Sequence, residues 1–377
     1  MIIGTPQARE GEGVAALEAR LAALLTQGAR GLLILVGEGC AISQREWDSL
    51  LQGLPVPVAG GIFPRVLCEE TVSRNGVIAV GLRHEPVLHV LDRLDQSALQ
   101  ACRDLPCSLD GCGTVMLWFD GLACRVSPMI EHVYDRLGPQ PRYIGGGAGS
   151  MERRRACVFS NRGVLQDAAV LMGLSAHLGI GARHGWRHLF GPYLVSEAHG
   201  HEIHSLDFRP AAQVYGEQLT PLLRQEETPA SSFEYSRSYP FGIERMDGSF
   251  LVRDPLRRTG DTLICVGDVP NQASLHILHG ERADLMQALV DAWHDAQGNC
   301  SSAPVAALLV DCMSSGLHAG DSYPEHLQAL RTRMVHDGQH IPLFGVLSLG
   351  EIGSALGVCL ELHNKTSVLG LWPDADA

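Results

Sequence analysis

Lysine is nearly missing from this chain of 377 residues: among 29 basic side chains only Lys365 is not an arginine. Schiff-base enzymes need a lysine amine, so pyridoxal or aldolase chemistry has one residue to rest on and is set aside. Positive charge as a whole is scarce. The 29 basic residues face 42 acidic ones, for a formal net charge of -13 and a pI near 5.7. That balance repels phosphate backbones and anionic lipid unless a basic patch is concentrated. The one basic run, Arg153-Arg154-Arg155, reads as a solvated turn, so nucleic acid is not an expected partner. Long apolar runs are also lacking. Despite a mean hydropathy of +0.05, no stretch approaches the ~20 apolar residues of a membrane helix. The opening MIIGTPQAREGEG has no basic head before an apolar core. A cytoplasmic protein without membrane insertion is expected. The 11 cysteines include no C-x-x-C pair. Cys102, Cys107 and Cys112 recur every five residues, which suits neither zinc nor a disulfide framework. They read as small buried hydrophobes in a reducing compartment. Neither a G-x-S-x-G elbow nor a G-x-x-x-x-G-K-[ST] loop occurs.

What is present is a well-cored chain, 45% hydrophobic and 19% charged, long enough for two or three domains. One order of elements recurs three times: helix, apolar strand, helix, Gly-rich strand end, paired strands. The first pass has a helix over Val14 to Leu25, the strand GLLILVGEGC, a helix near Gln44 to Leu51, PVPVAGGIF and GVIAVGL. The second has SALQACRDL as helix and TVMLWFDGL as strand. It continues with SPMIEHVYDRLG as a helix capped by Ser127 with Pro128 in its first turn, then RYIGGGAGS. A hairpin with its turn at Asn161-Arg162-Gly163 follows. The third has ADLMQALVDAWHDA as helix, APVAALLVDCMSSG as a buried strand and turn, and a helix with Pro324 in its first turn. PLFGVLSLGEIGS, VCLELHN and TSVLGLW close it. AGG, GGGAG and GEIG align as turn glycines across the three. The expected class is α/β, with α+β as the alternative: repeated helix–strand–helix–strand–hairpin units packed as two domains. Between the second and third units lies a hairpin-rich region, about Gly179 to Gly280, with a helix around Ala211 to Leu223. The polar span QEETPASSFEYSRS is the linker candidate. The expected domains are 1–205 and 206–377.

Candidate chemistry is spread thinly. Gly145 to Gly149 read as a tight turn with close packing rather than a phosphate loop. In HGHEIH, His199 and His201 on one strand face could share a metal. His276 and His279 fall on opposite faces. His184 and His188 flank Trp186 in a polar-aromatic turn, a place suited to ligand contact. Cys312 ends a strand, where His318 or His363 could act as a base. Gly345, Gly350, Glu351, His363, Asn364 and Thr366 gather with Cys312 at strand ends of one crevice. A buried Glu351 needs a donor there, and Arg253 is the candidate. The set suits a pocket for a small polar molecule better than a catalytic centre.

In their order along the chain, YIGGGAGS, CVFSNRGVLQDAAVLMGLS and GARHGW resemble a FIST N domain. YPFGIE, FLVRDPL, DTLICVGDVPNQASLHIL, ALLVDCMSSG, PLFGVLSLGEIG and HNKTSVLGLW are similar to a FIST C domain. The resemblance spans about residues 15 to 372. It implies a bacterial intracellular sensor, not an enzyme, for a small ligand such as an amino-acid-like metabolite. Output would pass through a histidine kinase, a diguanylate cyclase or phosphodiesterase, or a chemoreceptor. Some members resemble a haem-binding nitric-oxide sensor; for that version His184 and His188 are the iron-ligand candidates. The family pattern falls on Gly147, Trp186, Arg253, Cys312, Gly345, Gly350, Glu351, His363 and Asn364 as ligand-binding positions. The chain departs from the pattern at MSSGLHAG, where many members have an arginine, and at GGIFPRV. The weaker alternative is a small-molecule hydrolase or transferase using Cys312 or Glu351 near His363.

Overall fold

The computed structural model describes residues 2–96, 102, 105–222, 238–336, 338–354 and 360–374. The helix expected at SALQACRDL and the linker QEETPASSFEYSRS fall almost wholly outside them.

The repeat is real, and it is cyclic. In the first unit β1 (Ile2–Ile3) precedes α1 (Val14–Thr26), β2 (Gly31–Gly37), α2 (Gln44–Gly53) and β3 (Val58–Phe63). A hairpin of β4 (Arg65–Cys68) and β5 (Thr71–Ser73) leads to β6 (Gly76–Leu82). The second unit repeats this with β7 (Val87–Leu91), β8 (Thr114–Asp120), α3 (Val126–Leu137), β9 (Arg142–Ala148), the hairpin β10 (Val158–Ser160) and β11 (Gly163–Leu165), and β12 (Ala169–Leu174). The third begins with β13 (Gly179–Arg183), then an insertion. Its strands are β14 (Arg187–His199), β15 (Glu202–Leu206), β16 (Phe241–Glu244), β17 (Phe250–Arg253), β18 (Pro255–Thr259), β19 (Thr262–Cys265) and β20 (Ser274–His279), with α4 (Ala211–Leu219) after β15. The unit resumes with α5 (Arg282–Gly298), β21 (Pro304–Cys312), α6 (Met313–Ala319), α7 (Tyr323–Arg331), β22 (Leu343–Ser348), the hairpin β23 (Glu351–Gly353) and β24 (Glu361–His363), and β25 (Ser367–Pro373).

Each unit builds a parallel pair across a helical crossover: β2 with β3, β8 with β9, β21 with β22. Its last strand returns antiparallel to the first of the pair. The hairpin does not stay at home. The first unit's β4 pairs with β22 of the third, β10 of the second with β3 of the first, and β23 of the third with β9 of the second. Three sheets are thereby stitched into a closed ring, and exchanged hairpins cover edges that would otherwise be unpaired. The inner faces share one core, in which Ile34, Met116, Ile144, Leu308, Phe344 and Trp372 are buried together. The insertion forms its own sheet, ordered β17–β16–β20–β14–β15–β19–β18. Sheets thus draw strands from both sides of residue 205.

Local sequence explains much of this. GLLILVG is buried at every position, as a strand covered on both faces requires. Ser43 and Glu46 close a capping box on α2. Glycine fits where strands approach too closely for a side chain: a Cβ at Gly60, Gly145 or Gly345 would lie 1.9 Å from the carbonyl oxygen of Ile34, Leu117 or Leu309. These three are therefore the equivalent glycines, inside strands rather than in turns; GEIG is not the third counterpart. Two further expectations are corrected. Ser127 lies within α3, whose N-cap is Arg125, because burying Val126 against the sheet starts the helix earlier. MSSG opens α6 rather than a turn.

Candidate functional site

The carboxyl ends of β8, β9, β21 and β22 open on a cavity of about 710 Å³, roofed by the inserted sheet. Strand ends expose backbone and turn residues at one edge, which is why open α/β sheets bind there. The second unit contributes segments 121–127 and 150–154, the third Cys312 to Ser314, Ser348 to Gly350 and Asn364, and the insertion Asp254 to Arg257 and Ile264 to Asp268. Four large apolar side chains at this cavity, Leu122, Met151, Leu256 and Leu317, are 36% to 49% exposed.

Behind one wall lies a buried polar cluster. Lys365 is 1% exposed, and its Nζ donates to Ser314 Oγ at 2.6 Å and faces Asp254 Oδ2 at 3.4 Å. It also sits 5.0 Å from the Trp186 ring, whose Nε1 donates to the Lys365 carbonyl. Its backbone is left-handed at φ 51°, a conformation that non-glycine residues adopt where the surroundings impose it. Asp254 is 3% exposed, and its Oδ2 also accepts from Ser314 Oγ at 2.9 Å. Among the described residues, neighbouring carboxyls pair with no such cation. Glu351 accepts from Ser348 Oγ at 2.9 Å and meets the Cys312 thiol; burial pushes its carboxyl well above the usual range. Burial likewise raises Asp311, which accepts from Ser367 Oγ and the Tyr323 hydroxyl. The Cys312 thiol is held far up by burial first and by Glu351 next, so it is not a thiolate at neutral pH. His363 is driven down to about 3 by burial.

Of the residues singled out from sequence, Cys312, Gly350 and Asn364 line the cavity and Glu351 stands directly behind it. Gly147 packs beneath, its N–H donating to the Gly350 carbonyl at 2.8 Å. Gly345 serves strand packing, and Trp186 supports Lys365. Arg253 is not the donor to Glu351. It is buried and donates to the carbonyls of Val252, Leu362 and Asp268, tying the insertion to β24. His199 and His201 do not share a strand face, because a hairpin turn at Gly200 separates them. No group of three metal-ligating side chains occurs among the described residues. Nor is Arg153-Arg154-Arg155 merely a solvated turn: Arg154 grips buried Asp120 through 2.5 and 2.6 Å bonds, and Arg153 and Arg154 line the cavity. The two histidines expected as iron ligands make other contacts here. His184 Nε2 is 2.8 Å from the Phe250 carbonyl oxygen, and His188 is exposed with its ring 5.0 Å from that of His276. Neither lines the large cavity. For hydrolysis, His318 packs edge-on against Trp186 and His363 Nε2 meets the Gly353 carbonyl.

Sequence reasoning passed over Asp254 and Lys365, each one residue from a singled-out position, and both segments of the second unit. Lys365 carried a signal, being the chain's single lysine. Of the second-unit segments, 150–154 carried the basic run, read as a solvated turn, and 121–127 carried none, since only tertiary packing brings them opposite the insertion.

Fold and cavity together define an α/β protein with a roofed crevice at its strand ends. Family models place it further: the FIST N domain matches residues 32–209 and the FIST C domain residues 211–354. The chain belongs to the FIST family, a signal-transduction family thought to bind small ligands and not known as enzymes. No curated protein matches the chain.

Proposed function

We propose that this protein is a cytoplasmic small-ligand sensor whose ligand occupies the cavity under the inserted sheet. Output then passes to a separate protein, a histidine kinase, a diguanylate cyclase or phosphodiesterase, or a chemoreceptor. The observation that carries the reading is the 710 Å³ cavity itself, walled on one side by two ring units and on the other by the insertion. Its volume falls in the ~300–1,000 Å³ range of small-molecule sites.

The insertion leaves the ring after β13 and rejoins it before α5, and polar bonds hold it down. Arg245 pairs with Glu361, Arg253 donates to the Leu362 carbonyl, and Asp254 faces Lys365. A ligand touching both walls shifts the position of the insertion by as much as its affinity differs between two such positions. No helix of the described residues is long and apolar enough to cross a membrane.

The test is a thermal-shift screen of amino acids and small polar metabolites, followed by hydrogen exchange with any stabilising compound. Protection of 121–127, 150–154 and 254–268 together supports the reading; protection elsewhere refutes it. Haemin is carried as a comparator. A stoichiometric Soret band that shifts on nitric oxide would replace the polar-ligand reading with gas sensing, and His184→Ala and His188→Ala would then test the iron ligand.

A further inference from the structure

Asp254 has an unfinished hydrogen-bond inventory. Its Oδ2 is engaged by Ser314 and Lys365, but its Oδ1 is buried and has no partner among the described residues. An orphaned buried acceptor is destabilising, and such atoms are rare enough in native proteins to need a reason. Asp254 lines the cavity. A carboxylate oxygen can only accept, so whatever completes it brings an N–H or O–H. An anionic group there would be repelled.

A second signal comes from other elements lining the same cavity. Arg153, in segment 150–154, and Arg257, on β18, are both exposed. Among the described residues neither forms an ion pair, whereas Arg154 beside them is held by Asp120 and Asp167. Unpaired guanidiniums in a chain of net charge -13 are suited to carboxylate or phosphate. The remaining wall is largely apolar, with Leu122, Met151, Leu256 and Leu317 presented to solvent.

Building on the pocket reading above, we infer that the ligand is amphipathic, with a hydrogen-bond-donating amine or hydroxyl at Asp254, an apolar body, and an anionic group toward Arg153 and Arg257. A molecule with anions at both ends is rejected at Asp254.

Four probes sharing one eight-carbon chain test this by calorimetric titration at pH 7: 8-aminooctanoate, octylamine, octanoate and octanedioate. The expected ranking puts 8-aminooctanoate first and octanedioate last, at least ~10-fold weaker, the ratio that about 1.4 kcal/mol produces. Asp254→Asn brings those two within about twofold of each other, because the charge and one acceptor are gone. Arg257→Gln weakens 8-aminooctanoate and octanoate and leaves octylamine unchanged. The wild-type ranking and Arg257→Gln stand on their own if Asp254→Asn does not fold. Octanedioate binding as tightly as 8-aminooctanoate, or an unchanged preference in Asp254→Asn, overturns the inference while leaving the pocket reading intact. Absence of binding by all four probes overturns both.

Discussion

Equivalent strand ends in the three ring units have been treated differently. Register matches Gly145 to Leu117 and Gly345 to Leu309, so Asp120 in the second unit corresponds to Cys312 in the third. In the first unit the same place is Gly37, followed by Glu38. Glu38 accepts from Ser150 Oγ and the Met151 N–H and pairs with Arg65 and Arg74. Asp120 is gripped by Arg154. In both, an acid meets arginine. The third unit places Cys312, Asp311 and Glu351 there with no arginine bound to them among the described residues, and burial raises the pKa of both carboxyls. Its cation, Lys365, is committed to Asp254 of the insertion. The ring thus repeats one strand-end geometry with different polar residues, and in the third unit these lie beneath the inserted sheet.

The largest way to break this comparison is to remove one charged partner on each side. Lys365→Met leaves Asp254 as a buried, uncompensated charge and is expected to cost about 3–5 kcal/mol. Glu38→Gln should cost less, about 1–2 kcal/mol, since Arg65 and Arg74 are partly exposed and can rehydrate. Urea unfolding with an unchanged m-value measures both. A smaller loss in Lys365→Met than in Glu38→Gln would remove the distinction between the two crevices.

Acid titration of the third unit comes next. His363, with its folded value near 3, stays neutral in the native state while the unfolded chain takes up a proton near 6.5. Stability is therefore complete above pH 6.5 and declines as pH falls toward 3, by a few kcal/mol at ~1.4 kcal/mol per unit. His363→Gln should flatten unfolding free energy over that interval; an unaltered slope would show that other groups produce it.

Glu351 works in the opposite direction and sharpens the contrast with Asp120. Its folded value is raised, so the native state holds a proton that the unfolded chain releases above about 4.5. Stability falls as pH rises through that window. Glu351→Gln preserves a neutral side chain and is expected to gain about 1–3 kcal/mol at pH 8, with the gain vanishing at pH 4.5. Equal effects at both pH values would mean that Glu351 is already ionised in the fold.

The smallest effect concerns reactivity. With its thiol buried and pushed upward, Cys312 should react with a disulfide reagent in native protein far more slowly than exposed Cys107 and Cys124. Mass spectrometry of partially labelled protein reads the order directly. Labelling of Cys312 at the rate of Cys107 would reopen the thiol-nucleophile alternative.

Much of the ring was legible beforehand. Val14 to Leu25, GLLILVGEGC, TVMLWFDGL and PLFGVLSLG announce themselves by helical periodicity or by unbroken apolar runs, and each forms the expected element. Hairpin exchange was invisible, because RVLC looks the same whether it pairs at home or with β22. The site was half legible. Cys312, Gly350, Glu351 and Asn364 stood out as polar or glycine breaks in apolar sequence, whereas Leu122, Met151 and Arg153 are ordinary surface residues until the insertion lies opposite them. Arg253 misled through charge: opposite signs in sequence suggest pairing with Glu351, but a buried guanidinium is satisfied equally by carbonyls, and those of Val252, Leu362 and Asp268 are closer to hand.

What the sequence determined by itself is the repeated unit, because backbone geometry and burial impose periods of 3.6 and 2 on every amphipathic or buried element. It also determined that Lys365 is the chain's single lysine. Tertiary structure alone decided which strand edges exchange hairpins, which strand ends lie beneath the inserted sheet, and that Lys365 and Asp254, 111 positions apart (365 − 254), share a hydrogen-bonded cluster. Those outcomes depend on long-range packing and on the satisfaction of buried polar atoms, which no local pattern encodes.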